Sequence, residues 1–196
     1  MTPHREHIGI LGGSFNPIHI GHVILADYIA QYSDVDQVWL MLSPLNPLKA
    51  NSDELISNTH RLEMLRIATE GNPRLKPCDI ELSMPQPSYS INSLNRLQEL
   101  HPDKDFSLII GSDNWLLFDR WRSHEEIIQK FNPIIYPRPG YEIGASTLPK
   151  NVTLVNAPTL DISSTFIRNA IADNLDMQNF LPRGVAEYIA TNGLYM

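Results

Sequence analysis

The sequence predicts an α/β fold: a Rossmann-like doubly wound parallel sheet with helices on both faces. Three observations predict it. Short apolar runs alternate along the chain with stretches of helical period. One run, FSLIIG at 106–111, is apolar throughout, as a strand buried on both faces is. Strands that alternate with helices pair in parallel through crossovers, which place helices over both sheet faces.

The elements follow in order. HIGIL (7–11) reads as the first strand, and residues 20–32 as a helix carrying Val23, Ile24, Ala26, Tyr28, Ile29 and Ala30. QVWLML (37–42) is a second strand. Residues 58–70 place Leu62, Leu65 and Ile67 at helical spacing, with Asn58 or Thr59 as the cap. LKPCDIEL holds a third strand, with Cys78 as a small core residue at its end. Residues 88–100 are helical, and 106–111 form the buried strand. SHEEIIQKF (123–131) is a helix in which Ser123 and Glu126 match a capping box. NPIIYP and VTLVNA are two further strands. Helices near 163–173 and 182–191 finish the chain, with Pro182 in the first turn of the last. Trp39 and Trp115 read as core residues.

The bulk properties set limits. A chain of 196 residues, 42% of them hydrophobic, suits one domain spanning 1–196 with a core that needs no staples. A single cysteine makes no internal bridge, so a cytoplasmic setting is expected. The N-terminus shows no secretory pattern, and no window reaches the roughly 18 apolar residues of a membrane span. The net charge of -7 argues against long nucleic acid as a partner. A small anionic substrate needs only local cations and helix N-termini. An oligomer is left open, and no metal-ligand cluster is visible.

In a doubly wound sheet, ligands bind beyond the C-terminal ends of the strands. That directs attention to the loops after residues 11, 42, 80, 111 and 160. The first reads Gly12-Gly13-Ser14-Phe15-Asn16-Pro17-Ile18-His19-Ile20-Gly21-His22. The glycines permit a tight turn and close approach of a ligand. A helix start near Ile20 presents free N–H groups to an anion. His19 and His22, three apart, project to one side. Neither a dinucleotide fingerprint nor a P-loop is present. Near the C-terminus, Asp161-Ile162-Ser163-Ser164-Thr165-Phe166-Ile167-Arg168 offers Ser163 as an N-cap, successive hydroxyls, and Arg168 one turn past Ser164.

The first loop resembles the G-G-[ST]-F-[DN]-P-x-H-x-G-H signature of the nucleotidyltransferase superfamily. The second resembles the I-S-[ST]-T-x-I-R motif of the nicotinate and nicotinamide mononucleotide adenylyltransferases. Class I aminoacyl-tRNA synthetases share the His-Ile-Gly-His tetrapeptide, but this chain is short, acidic and lacks their Lys-Met-Ser-Lys-Ser loop. Ser43-Pro44-Leu45-Asn46-Pro47-Leu48-Lys49 is similar to the family's P-x-x-x-P-H-K stretch, with Leu48 where His is usual and Lys49 retained. Pro87 to Leu94 resembles S-Y-[TS]-x-x-T-L. Gly111-Ser112-Asp113 followed by Trp121-Arg122 resembles G-x-D followed by an aromatic. Leu181 to Tyr195 is similar to the closing helix, so the resemblance covers nearly the whole chain.

The resemblance implies transfer of AMP from ATP to nicotinate mononucleotide, giving nicotinate adenine dinucleotide and pyrophosphate, in NAD biosynthesis. It implies Mg²⁺ arriving with ATP. Gly12, Gly13, Ser14, Phe15, His19, His22, Ser163, Ser164, Thr165 and Arg168 would bind ATP. Asn16, Lys49, Tyr89, Ser90, Asp113, Trp121 and Arg122 would bind the acceptor, with Trp121 stacked on the pyridine ring and backbone N–H groups near Ser90 and Arg122 on its carboxylate. His19, His22, Lys49 and Arg168 would supply donors and cations to the transition state. A pantetheine-phosphate adenylyltransferase-like enzyme and a non-catalytic nucleotide sensor stand as the alternatives.

Overall fold

The computed structural model describes residues 5–44, 55–145 and 148–196. Six strands form one sheet in the order β3-β2-β1-β4-β5-β6, every neighbouring pair parallel. They are β1 (Glu6–Gly13), β2 (Gln37–Leu42), β3 (Leu75–Cys78), β4 (Lys104–Gly111), β5 (Ile134–Tyr136) and β6 (Thr153–Leu154). The helices are α1 (Ile20–Tyr32), α2 (Asn58–Thr69), α3 (Ser90–Leu100), α4 (Ser112–Trp115), α5 (His124–Phe131), α6 (Ser164–Ala172) and α7 (Val185–Thr191). The sheet is doubly wound, as expected.

Strand periodicity builds the two cores. Val38, Leu40 and Leu42 of β2 and Ile109 of β4 face one side, where α1, α2, α6 and α7 bring Ala26, Ile29, Leu62, Met64, Leu65, Ile167, Val185 and Ile189. Ile8 and Ile10 of β1 and Phe106, Leu108 and Ile110 of β4 face the other, against Ile91, Leu94 and Leu97 of α3 and Ile127 and Phe131 of α5. Successive residues alternate between these faces because successive strand side chains do. The chain departs from β1 to one side of the sheet and resumes at β4 on the other. The crevice therefore opens where Gly12–Gly13 and Gly111 end their strands.

Several local expectations are corrected. The cap of α2 is Ser57, whose Oγ accepts from the His60 N–H at 3.3 Å; Asn58 accepts from Arg61 instead. Ser123 does not build a capping box. Its backbone is left-handed (φ 55°), its side chain makes no cap bond, and Glu126 pairs with Lys130. Pro182 stands before α7 rather than in it: the Val185 N–H reaches the Pro182 carbonyl, and a left-handed Gly184 starts the helix. Trp39 and Trp115 are only partly buried against the second core. Ser163 caps α6 as expected, accepting from the Phe166 N–H at 3.1 Å. Cys78 is buried, and burial first, then Asp79 and Glu81, pushes its thiol up to about 11, which suits a core residue.

Gly9 lies at the centre of β1, where an added Cβ would stand 2.7 Å from Cδ1 of Ile109. Gly9→Ala is therefore expected to destabilise the chain by about 1–3 kcal/mol in urea unfolding. Ile109→Val in the same chain removes that Cδ1 and should recover part of the loss. A double variant no more stable than Gly9→Ala would exclude this contact as the cause.

Candidate active site

Arg61 organises the floor of the crevice. It is 1% exposed and has no carboxylate partner among the described residues. Each of its five N–H groups finds an oxygen instead. Nε donates to the Ile56 carbonyl at 3.2 Å, and Nη1 to the carbonyls of Ser14 at 2.7 Å and Ser43 at 2.9 Å. Nη2 donates to the Pro44 carbonyl at 3.2 Å and to Asn58 Oδ1 at 2.5 Å. One guanidinium on α2 thus ties down the loops that follow both β1 and β2.

The loop after β1 is held from a second direction. The Ser164 hydroxyl donates to the Pro17 carbonyl at 2.8 Å, and Arg168 Nη1 to the Asn16 carbonyl at 3.0 Å. Asn16 is 2% exposed, and its side-chain oxygen accepts from Tyr195 and from the Ile56 N–H. Asn16, expected on the acceptor side, has its side-chain oxygen turned toward Tyr195 and Ile56. Phe15 is also buried, and its ring meets His22 edge-on at 5.1 Å. It reaches the crevice through that histidine.

His19 and His22 stack at 3.7 Å between centroids at the start of α1. The His19 N–H donates to His22 Nδ1 at 3.2 Å. A neutral His22 then carries its proton on Nε2, free to donate outward. His19 Nδ1 is buried without a partner. Burial first, then the charge of Arg138, lowers His19 from 6.5 to about 4. Burial, His19 and Arg138 lower His22 well below 6.5. Both shifts favour neutral rings near pH 7, which offer hydrogen-bond donors without adding charge.

A cavity of about 250 Å³ lies beside the glycines, lined by Gly12, Gly13 and Ser14 on one side and Tyr89, Ser90, Trp121 and Arg122 on the other. Trp121 rests on Phe118, ring centroids 5.3 Å apart, and the Arg122 guanidinium lies 5.1 Å over the Tyr89 ring. Ser90 opens α3, so its N–H has no helical acceptor. The Arg122 N–H has no protein acceptor among the described residues. Glu81, buried in the same lining, accepts from the Ser93 hydroxyl at 2.7 Å. A second, smaller cavity holds His19, His22 and Arg138, and Tyr136 lines both. Ser163, Thr165 and Arg168 line neither cavity. Asp113 lies in the first turn of α4, its Oδ1 buried and 3.9 Å from Arg138 Nε. Lys49, with Leu48, falls outside the described residues.

Sequence reading missed Arg138, Tyr136, Arg61, Glu81 and Tyr195. The first two had a signal: NPIIYP was read as a strand, yet the loop after it was not singled out. The bonds of Arg61 and Tyr195 join residues distant in sequence and leave no local pattern. Among the described residues, no group of three or more His, Cys, Asp or Glu could hold a metal ion, and no helix is long and apolar enough to cross a membrane.

Comparison with known proteins agrees with this geometry. A cytidylyltransferase-like family model matches residues 10–170. A Bacteroides thetaiotaomicron protein named "Probable nicotinate-nucleotide adenylyltransferase" is 50% identical over 181 residues, covering 92% of this chain and 89% of the relative. A Bacteroides fragilis protein of the same name is 46% identical, covering 94% and 92%. The structure is similar to that of Plasmodium falciparum nicotinic acid mononucleotide adenylyltransferase complexed with NaAD, with a TM-score of 0.77, 25% identity and 97% of each chain covered.

The neutral histidines predict a pH dependence of stability. Between pH 6.5 and about 4 the unfolded chain takes up a proton at position 19 that the folded chain refuses. Stability should therefore fall as pH drops through that window and level off below it, by about 3 kcal/mol at full extent for His19. Urea unfolding at pH 7 and pH 5 measures the drop, and His19→Asn should reduce it. An equal drop in wild type and variant would place the effect elsewhere.

Proposed function

The chain belongs to the cytidylyltransferase-like family and, within it, to the nicotinate-nucleotide adenylyltransferases, and we propose that the two adjoining cavities are where it works. The reaction is transfer of AMP from ATP to nicotinate mononucleotide, giving nicotinate adenine dinucleotide and pyrophosphate in NAD biosynthesis. The observation that carries the site assignment is the meeting of the two cavities at Tyr136: one offers a flat aromatic and backbone donors, the other two histidines and a guanidinium.

In this reading the larger cavity takes the acceptor, its pyridinium ring on Trp121 and its carboxylate on the N–H groups of Ser90 and Arg122. Tyr89 supports Arg122, and Asp113 reaches a ribose hydroxyl once Arg138 shifts. ATP lies along the glycine loop toward the start of α6. Gly12, Gly13 and Ser14 let its phosphates approach the backbone. His22 Nε2 and His19 donate to phosphate oxygens, Ser163 and Thr165 offer hydroxyls, and Ser164, its hydroxyl spent on the Pro17 carbonyl, offers its helix-start N–H. Lys49 and Arg168 add charge.

The acceptor phosphate is already an anion, so its oxygen attacks the α-phosphorus without a general base. The new P–O bond forms as the bond to the β-phosphate oxygen breaks, and pyrophosphate leaves with that bond's electrons. Positioning and neutralisation of developing charge do the work. Nucleotidyltransferases of this family generally use a divalent metal with ATP. We take it to be Mg²⁺ delivered as part of the substrate, because the described residues offer it no cluster and phosphates suit it. We also take residues 1–196 as one domain and the cytoplasm as its setting, supported by the single cysteine.

Pyrophosphate release with nicotinate mononucleotide, nicotinamide mononucleotide and phosphopantetheine as acceptors tests the reading. Release only with phosphopantetheine, or none, would overturn it. His22→Ala should cost on the order of 10²–10³ in turnover at a nearly unchanged melting temperature; near wild-type turnover would remove His22 from the mechanism. Nicotinate mononucleotide should be preferred over its amide by about ten- to several-hundred-fold, because an amide NH₂ leaves a donor unpaired at a cost of roughly 1–3 kcal/mol. Glu81 lines the same cavity, with Oε1 accepting from Ser93 and Oε2 buried without a hydrogen-bond partner, so the measured preference also reads how far that oxygen lies from the ring substituent. Equal specificity constants at saturating ATP would show that those backbone donors do not meet the acid.

A further inference from the structure

Tyr195 takes no part in either cavity, yet it is bound to the loop that carries the histidines. Its hydroxyl donates to Asn16 Oδ1 at 2.9 Å, across 179 residues of sequence. The end of α7 aims it there. The Gly193 N–H closes on the Ala190 carbonyl and the Leu194 N–H on the Ile189 carbonyl. Gly193 (φ 59°) and Tyr195 (φ 65°) are left-handed, and Leu194 is buried as an anchor. The phenol lies near Arg61 and Arg168, and burial, the larger influence, pushes it up, so the hydroxyl keeps its proton as a donor.

Residues 14, 16 and 17 are each gripped from another element: Ser14 by Arg61, Asn16 by Arg168 and Tyr195, Pro17 by Ser164. Of these grips, Tyr195 is the one that fixes the Asn16 side chain from beyond α7. His19 follows three residues later and His22 six. A loop free to shift would carry both rings with it, and a misplacement near 1 Å costs up to about 10²-fold in rate.

We infer that Tyr195 is a positioning residue for the adenylyl transfer, holding the histidine-bearing loop through Asn16 without touching substrate. The inference rests on the function proposed above. A purely structural tyrosine would change the melting temperature and leave turnover alone at temperatures well below it. A positioning tyrosine changes turnover first.

The test is Tyr195→Phe, which keeps the ring and removes the hydroxyl. At 25 °C we expect kcat to fall about tenfold, with less than a twofold change in KM for nicotinate mononucleotide. Asn16→Ala removes the same bond from its other end, and the double variant should be no slower than Asn16→Ala alone. Amide exchange over residues 18–22, measured on the unliganded chain, should quicken in Tyr195→Phe. Wild-type turnover with unchanged exchange, losses that multiply in the double variant, or a Tyr195→Phe chain unfolded at 25 °C would each overturn the inference. A wild-type chain inactive on nicotinate mononucleotide would indict the proposed function, and the exchange measurement would then decide this point by itself.

Discussion

A buried positive charge with no negative partner among the described residues holds this crevice together. Arg61 spends all five of its N–H groups on four carbonyls and one amide oxygen. Desolvation opposes such a charge and lowers its proton affinity. Complete hydrogen bonding of a planar fork makes it tolerable. The four carbonyls, of Ser14, Ser43, Pro44 and Ile56, all lie outside the strands, where no ladder partner serves them. The loop geometry and the charge beneath it therefore exist together. The same charge favours an anion above it, which a carboxylate partner would have cancelled.

The site also reconciles an acidic chain with polyphosphate. The net charge is -7, yet Arg61, Arg122, Arg138 and Arg168 lie around or beneath one crevice. The histidines add hydrogen-bond donors without adding charge to this crowd. Burial first, then the charge of Arg138 and for His22 the neighbouring His19, disfavours protonation, so the loop avoids stacking two imidazolium ions at 3.7 Å. A bound triphosphate reverses that electrostatic pressure, which makes the rings more readily protonated when negative charge is present.

How much was legible in the sequence depended on how local the physics is. Strand and helix positions follow from periodicity, and β1, β2, β4 and α1 lay within a residue or two of expectation. The Ser163 cap was legible because the side chain and the N–H it serves are three residues apart. Ser123 carried the same type of signal and failed: it sits in a turn closed by the His124 N–H on the Trp121 carbonyl, with a left-handed backbone and no cap bond. The glycine loop and histidines were legible as a motif at a strand end. Arg61 was not: a basic residue on an amphipathic helix reads as solvated until the loops that cover it are in place. Asn16 was assigned to the acceptor for the same reason, since the groups that meet its side-chain oxygen, Ile56 and Tyr195, are 40 and 179 residues away.

That separation bears on how the molecule matures. The strand pairs of β1 with β2 and of β2 with β3 join near neighbours, but β1 also pairs with β4, with Glu6 opposite Lys104. Closing long loops is entropically costly, so distant pairings tend to form late. The contact between residues 16 and 195 spans the longest loop of all those described here. Leu194, next to Tyr195, is buried in the same core as Phe15 and Ile18, so packing of the last helix onto the sheet closes that loop and brings the tyrosine to Asn16. Docking of the last helix and seating of the glycine loop are thus coupled in this fold.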